Sequence, residues 1–170
     1  MAAANELQLT LPAAADTDVV GRALAESLPT SADNGLLVEL HGDLGMGKTA
    51  LVRSLLRAMG ITGAVRSPTY TLCEPYNVGD WQIMHLDLYR LSDPEELEYL
   101  GVRELDARKT LALVEWPANG AGWLPKPSLL LRFNDRSSLP GRTLKLTAGS
   151  VVGQGWLQNI AVNENLKDYM

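Results

Sequence analysis

The sequence predicts an α/β fold: a central mixed, largely parallel sheet flanked by helices, with antiparallel strands near its C-terminal end. Three observations predict it. Strand-like and helix-like patterns alternate from Glu6 to Glu115, the order that builds parallel crossovers. A nearly continuous apolar run, Leu36–Leu40, suits a strand buried on both faces, and it leads through glycines into an amphipathic helix. Beyond Glu115, two strand-like runs flank Pro140-Gly141 with no helix between them, so they pair antiparallel. A length of 170 residues suits one domain, 1–170, around one core.

The elements follow in order. Glu6–Leu11 alternates polar residues with Leu7, Leu9 and Leu11, as a half-buried strand does. Asp16–Leu28 places Val19, Val20, Ala23, Leu24 and Leu28 at helical spacing, with Asp16 or Thr17 as the expected N-cap. Gly35–His41 is a buried strand. Lys48–Met59 gathers Leu51, Val52, Leu55, Leu56 and Met59 on one helical face, and Gly60 stops that helix. Val65–Tyr76 reads as a loop and then a strand. Trp81–Tyr89 is a further strand, alternating around Ile83, His85 and Asp87. Asp93-Pro94-Glu95-Glu96 starts a helix, with Asp93 as N-cap, Pro94 in the first position and Glu96 closing a capping box; Gly101 ends it. Leu111–Val114 is a short strand closed by Glu115. Pro117–Pro127 is loop. Ser128–Phe133 and Thr143–Thr147 are the antiparallel pair. Residues 150–170 are weakly patterned and read as a peripheral helix or tail around Trp156 and Leu157.

Composition narrows the function. A hydrophobic fraction of 46% excludes a disordered chain. The longer apolar runs are far too short to span a bilayer. Met1–Thr10 carries Glu6 and no Lys or Arg, unlike the basic start of a secretory signal, so the expected location is the cytoplasm. Cys73 is the only cysteine, which leaves no intrachain disulfide. Net charge is −5, a poor match for holding a phosphate backbone directly.

Gly42-Asp43-Leu44-Gly45-Met46-Gly47-Lys48-Thr49 matches G-x-x-x-x-G-K-[ST] in full. Glycines let successive backbone N–H groups turn inward onto phosphate oxygens, and the following helix adds the positive end of its dipole. Asp43 to Ala50 are therefore the expected nucleotide contacts: Asp43, Leu44, Gly45, Met46, Gly47, Lys48, Thr49 and Ala50. Lys48 reaches the β- and γ-phosphates, and the Thr49 hydroxyl ligates Mg²⁺. The strand before the motif and the helix after it complete a P-loop NTPase-like fold. No N-K-x-D segment is present to read guanine, which favours ATP.

Such a site needs a carboxylate near Mg²⁺. Two candidates stand at strand ends, Asp87 and Glu115, on the carboxyl edge of a parallel sheet where ligands of open α/β folds bind. Ser67-Pro68-Thr69-Tyr70 is a rigid polar loop that by pattern alone reads as a plain turn, although a Thr in such a loop, here Thr69, can sense the γ-phosphate. His41 and His85 read as ordinary loop or core histidines, since with Cys73 they make no zinc pattern.

Several segments together resemble a known family: the Gly42–Thr49 loop, Ser67-Pro68-Thr69-Tyr70-Thr71-Leu72, Glu74-Pro75-Tyr76, His85-Leu86-Asp87-Leu88-Tyr89-Arg90, Asp93-Pro94-Glu95-Glu96-Leu97-Glu98 and Val114-Glu115-Trp116-Pro117. Their order and spacing, from about residue 35 to 127, are similar to the bacterial TsaE (YjeE) family of tRNA threonylcarbamoyladenosine biosynthesis. The resemblance implies an ATPase that acts with the TsaB–TsaD heterodimer and meets tRNA only through that complex. It also implies that Asp87 is the Mg²⁺-linked acid, Glu115 the second acid, and Trp116 the tryptophan beside the nucleotide, with Lys48, Asp87 and Glu115 carrying catalysis and Thr49, Asp87 and Glu115 serving the metal. Two positions depart from the family pattern. Met46 replaces a small residue, which backbone-mediated phosphate binding tolerates, and Ala118 replaces an acid or amide.

Two rival functions are compatible with a phosphate loop. A small-molecule kinase needs an acceptor pocket and an arginine-bearing lid, and the segment after Asp87 is short and acidic. A non-catalytic switch needs only that ATP order the 67–72 loop for a partner.

Overall fold

A computed structural model describes residues 4–170; the first three residues of the stretch read for a signal, 1–3, lie outside the described residues. Seven strands form one sheet: β1 (Glu6–Leu11), β2 (Leu36–His41), β3 (Cys73–Val78), β4 (Trp81–Asp87), β5 (Thr110–Glu115), β6 (Leu129–Asp135) and β7 (Arg142–Ala148). Their spatial order is β1-β7-β6-β2-β5-β4-β3. The four central strands, β6, β2, β5 and β4, run parallel. Antiparallel pairs close both edges, β7 and β1 on one side and β3 on the other. The mixed sheet is thus as expected, and the hairpin of β6 and β7 turns near Pro140-Gly141.

Three α-helices, α1 (Asp16–Glu26), α2 (Lys48–Met59) and α3 (Val151–Ala161), bury their apolar sides in one cluster. Alternation assigns the strand residues. Leu36, Val38 and Leu40 of β2, with Leu111 and Leu113 of β5, belong to that cluster; Leu37, Ala112 and Val114 belong to a smaller one on the opposite face. The smaller cluster is covered by short 3-10 segments at Pro94–Leu100 and Val102–Asp106. Central strands buried on both faces explain their nearly continuous apolar runs.

Three local expectations are corrected. The N-cap of α1 is Ala15, not Asp16 or Thr17. The turn before it already has helical backbone, and the Asp16 carboxylate takes the Ala13 N–H at 2.7 Å. The helix opened by Asp93 is a 3-10 helix of seven residues rather than an α-helix. Its capping box is intact: Glu95 N–H donates to Asp93 and Asp93 N–H to Glu96. With only Leu97 buried, little packing is available to propagate an α-helix. Thirdly, α3 is central to the fold rather than peripheral. Trp156 is fully buried, and its Nε1 donates to Leu24 O at 3.2 Å.

The carboxyl ends of β2, β4, β5 and β6 share one sheet edge, together with the start of β7. Everything described next stands on that edge.

Candidate nucleotide site

The loop from Gly42 to Gly47 joins β2 to α2. Gly42, Gly45 and Gly47 have φ of +142°, +76° and +109°, conformations that L side chains rarely adopt. The motif's glycines are therefore required by the backbone path. Lys48, the first residue of α2, is 4% exposed. Its ammonium donates to Gly42 O and, at 2.8 Å, to Asp43 O. It also sits 4.3 Å from the centre of the Trp116 ring. Burial lowers the Lys48 pKa, and the charges of Glu115, Asp87 and Asp43 oppose that shift.

Both candidate carboxylates are here. In register, Asp87 of β4 pairs with Glu115 of β5, so the two acids end adjacent parallel strands. The Thr49 hydroxyl donates to Glu115, 2.9 Å from Oε1 and 3.1 Å from Oε2. Asp87 Oδ1 accepts the Tyr89 N–H at 3.0 Å. Burial pushes the Asp87 pKa up, the Tyr89 hydrogen bond pulls it back, and the Glu115 charge pushes it up again. Asp87 and Glu115 are 6% and 3% exposed, two buried acids facing one buried lysine.

The loop of Ser67–Leu72 is tied to this group. Ser67 and Thr69 hydroxyls are 2.8 Å apart, and Leu72, at φ +63°, accepts the Asp87 N–H at 3.0 Å. Trp116 also has left-handed backbone, φ +56° and ψ +48°, which costs a bulky residue on the order of 1–3 kcal/mol. That bend turns its ring over Lys48 and to 5.0 Å from the Tyr89 ring.

An open cleft of about 470 Å³ results, lined by Leu44–Thr49, Ser67, Thr69, Asp87, Tyr89, Arg90, Glu115 and Trp116. Of the residues expected from the sequence, Leu44, Gly45, Met46, Gly47, Lys48, Thr49, Thr69, Asp87, Glu115 and Trp116 meet there. Asp43 lines a neighbouring cavity that shares Met46 and Trp116 with this cleft, and Ala50 lines neither.

Sequence reasoning passed over three participants. His85 is not an ordinary core histidine: fully buried, it places Nε2 2.8 Å from Glu115 Oε1, an oxygen that Thr49 also contacts, and so helps fix that carboxylate. The alternation Ile83, His85, Asp87 was the available signal, since it puts His85 on the same sheet face as Asp87. Arg90, also lining the cleft, stacks 4.6 Å over the exposed Tyr70 ring. Arg142, nearly a hundred residues from the loop in sequence, donates to Met46 O, and no local pattern announces that contact.

The donor set suits Mg²⁺. Thr49, Asp87 and Glu115 offer hard oxygens, yet among the described residues no group of three or more His, Cys, Asp or Glu could hold a metal unaided. Mg²⁺ characteristically uses one or two protein carboxylates and completes its shell with water and substrate phosphates.

Comparison with known proteins follows the same lines. The family model described as Threonylcarbamoyl adenosine biosynthesis protein TsaE matches residues 11–144. The tRNA threonylcarbamoyladenosine biosynthesis protein TsaE of Haemophilus influenzae is 41% identical over 135 residues, covering 79% of this chain and 84% of that protein. The protein of the same name from Synechocystis is 42% identical over 117 residues, 66% of this chain and 71% of its own. The crystal structure of YdiB from Bacillus subtilis superposes with a TM-score of 0.74 over 92% of this chain and 94% of that one, at 24% identity, a likeness of fold. The matched span contains the phosphate loop, both acids, Trp116 and Arg142, and the chain belongs to the TsaE family.

Proposed function

We propose that this chain is the Mg²⁺-dependent ATPase component of the machinery that makes threonylcarbamoyladenosine in tRNA, working in the cytoplasm with the TsaB–TsaD heterodimer and meeting tRNA only through that complex. The observation that carries the reading is the cluster of buried Lys48, Asp87 and Glu115 with half-buried Thr49 at the mouth of a complete phosphate loop. The names of its relatives place them in the same biosynthesis.

The residues divide the work. Loop N–H groups and Lys48 hold the phosphates and balance charge on the transferring group. Thr49, with Asp87 and Glu115, would hold Mg²⁺, which would supply positive charge against the charge developing on the phosphates. His85 and the Thr49 hydroxyl together orient Glu115. Trp116 and Tyr89 form one wall of the cleft, with the Trp116 ring against Lys48.

A switch reading has one observation in its favour. The Leu72 carbonyl takes the Asp87 N–H, so a ligand that moves Asp87 also moves the Ser67–Leu72 loop, which a partner would touch. Single-turnover hydrolysis with and without the heterodimer separates the two: a switch would signal at full strength with non-hydrolysed ATP.

The test is a tRNA modification assay with purified partners. Omitting this chain, or supplying Lys48→Ala, should stop repeated turnover. Undiminished multiple-turnover modification without the chain would refute the proposal.

A further inference from the structure

We propose that Arg142 is the positioning residue of the phosphate loop, holding the Met46–Gly47 peptide from outside the cleft so that its N–H faces the phosphates. The inference rests on reading Gly42–Thr49 as a phosphate cradle.

Three observations meet at this peptide. Arg142 Nη1 donates to Met46 O. A Cβ on Gly47 would lie 2.6 Å from Nη1 and 3.4 Å from Thr17 Oγ1, so Arg142 and Thr17 wall the loop closely at this glycine. Arg142 does not line the cleft, although Met46 and Gly47 do. The guanidinium thus stands behind the loop, and the ligand space is in front of it.

Peptide geometry turns this contact into a function. In a trans peptide the carbonyl and the following N–H point in opposite directions. No peptide bond described here is cis. An arginine that fixes the Met46 carbonyl outward therefore fixes the Gly47 N–H inward. A free glycine-rich peptide would sample both orientations, since Gly47 carries no side chain to select one. Selecting it in advance removes an ordering cost from binding.

The charge adds to the effect. Asp135 stands opposite Arg142 in register on β6, yet among the described residues no carboxylate pairs with this guanidinium. Its field therefore adds to those of Lys48 and the α2 N-terminus. Arg142 itself is fixed by the first ladder position of β7, between Leu11 of β1 and Asp135 of β6. The long-range hairpin thereby supports a loop that local sequence alone leaves soft.

The experiment measures AMP and ADP affinities by calorimetry and takes their ratio, the increment due to the β-phosphate. A generally damaged fold lowers both affinities together, whereas a misoriented loop N–H lowers the ratio. Loss of one charge-assisted hydrogen bond should cut the ratio about tenfold in Arg142→Ala. Arg142→Lys, which keeps the charge and a donor, should restore part of it. Arg142→Met, which keeps the packing of the stem, carries the test if the alanine variant does not fold. A folded variant without the donor that retains the wild-type ratio overturns the inference. Equal AMP and ADP affinities in the wild-type chain would instead overturn the phosphate-cradle reading, and this inference with it.

Discussion

Asp87 shows how one residue can serve a site at the expense of the fold. Its carboxylate is buried and its pKa is raised, chiefly by that burial. A raised acid pKa means that the folded state disfavours the ionised form. The sign follows: as pH rises past the unfolded value the penalty grows, and it is complete above the folded one. Asp87→Asn keeps an oxygen for the Tyr89 N–H and removes the charge. In nucleotide-free protein at pH above both values, this variant should unfold no earlier in urea than the wild type. Its binding should suffer instead. Asp87→Asn and Thr49→Val are each expected to weaken ADP binding on the order of tenfold in Mg²⁺, and much less without it. Equal losses with and without Mg²⁺ would move the metal's support away from these two residues.

Cys73 offers a contrasting residue. Burial, followed by the nearby Glu74 charge, pushes its thiol up from 9.0 to about 11. Two units leave about a hundredfold less thiolate at any pH below both values. Native protein should therefore react with a maleimide at pH 8 about a hundredfold more slowly than urea-unfolded protein. The gap should narrow as pH approaches the raised value. Equal rates at pH 8 would show the thiol to be unperturbed.

At the scale of elements, legibility followed the range of the interaction. The Gly42–Thr49 loop was readable because it needs nothing beyond eight consecutive residues between a strand and a helix. The Asp93 capping box was equally local, although its helix proved to be 3-10, because helix type depends on what packs against Leu97. The pairing of β1 with β7 joins Leu7 to Leu146 and is invisible to any window. So are the contacts of His85 with Glu115 and of Arg142 with Met46, which the sheet creates by bringing strand ends together. The same limit hid how α3 packs. Its weak pattern around Trp156 and Leu157 read as a peripheral helix or tail, but Gly153 lies where a Cβ would come 1.8 Å from Ser128 O. The glycine permits close helix-to-sheet contact and brings Trp156 into the core. Trp156→Ala should accordingly cost about 3–5 kcal/mol in urea unfolding, and Trp156→Phe less. A loss under about 1 kcal/mol for the alanine variant would return α3 to the periphery.

At the scale of the whole molecule, the cleft is open and its walls come from separate elements: α2, the 67–72 loop, and the ends of β4 and β5. An open site leaves water around the γ-phosphate, and water weakens each charge contact that phosphoryl transfer requires. The exposed Tyr70 ring, stacked under Arg90, lies on the loop at the rim of this cleft. A protein docking there would exclude water and hold the loop, and through Leu72 it would act on Asp87. The net charge of −5 suits such a protein partner better than direct capture of tRNA. The isolated chain should therefore hydrolyse ATP slowly, and the TsaB–TsaD heterodimer should change the rate of hydrolysis or of ADP release. Steady-state and single-turnover measurements, alone and with the heterodimer, check this, alongside a binding titration against free tRNA at two salt concentrations. Unchanged kinetics together with tight, salt-dependent tRNA binding by the chain alone would assign it a nucleic acid partner instead.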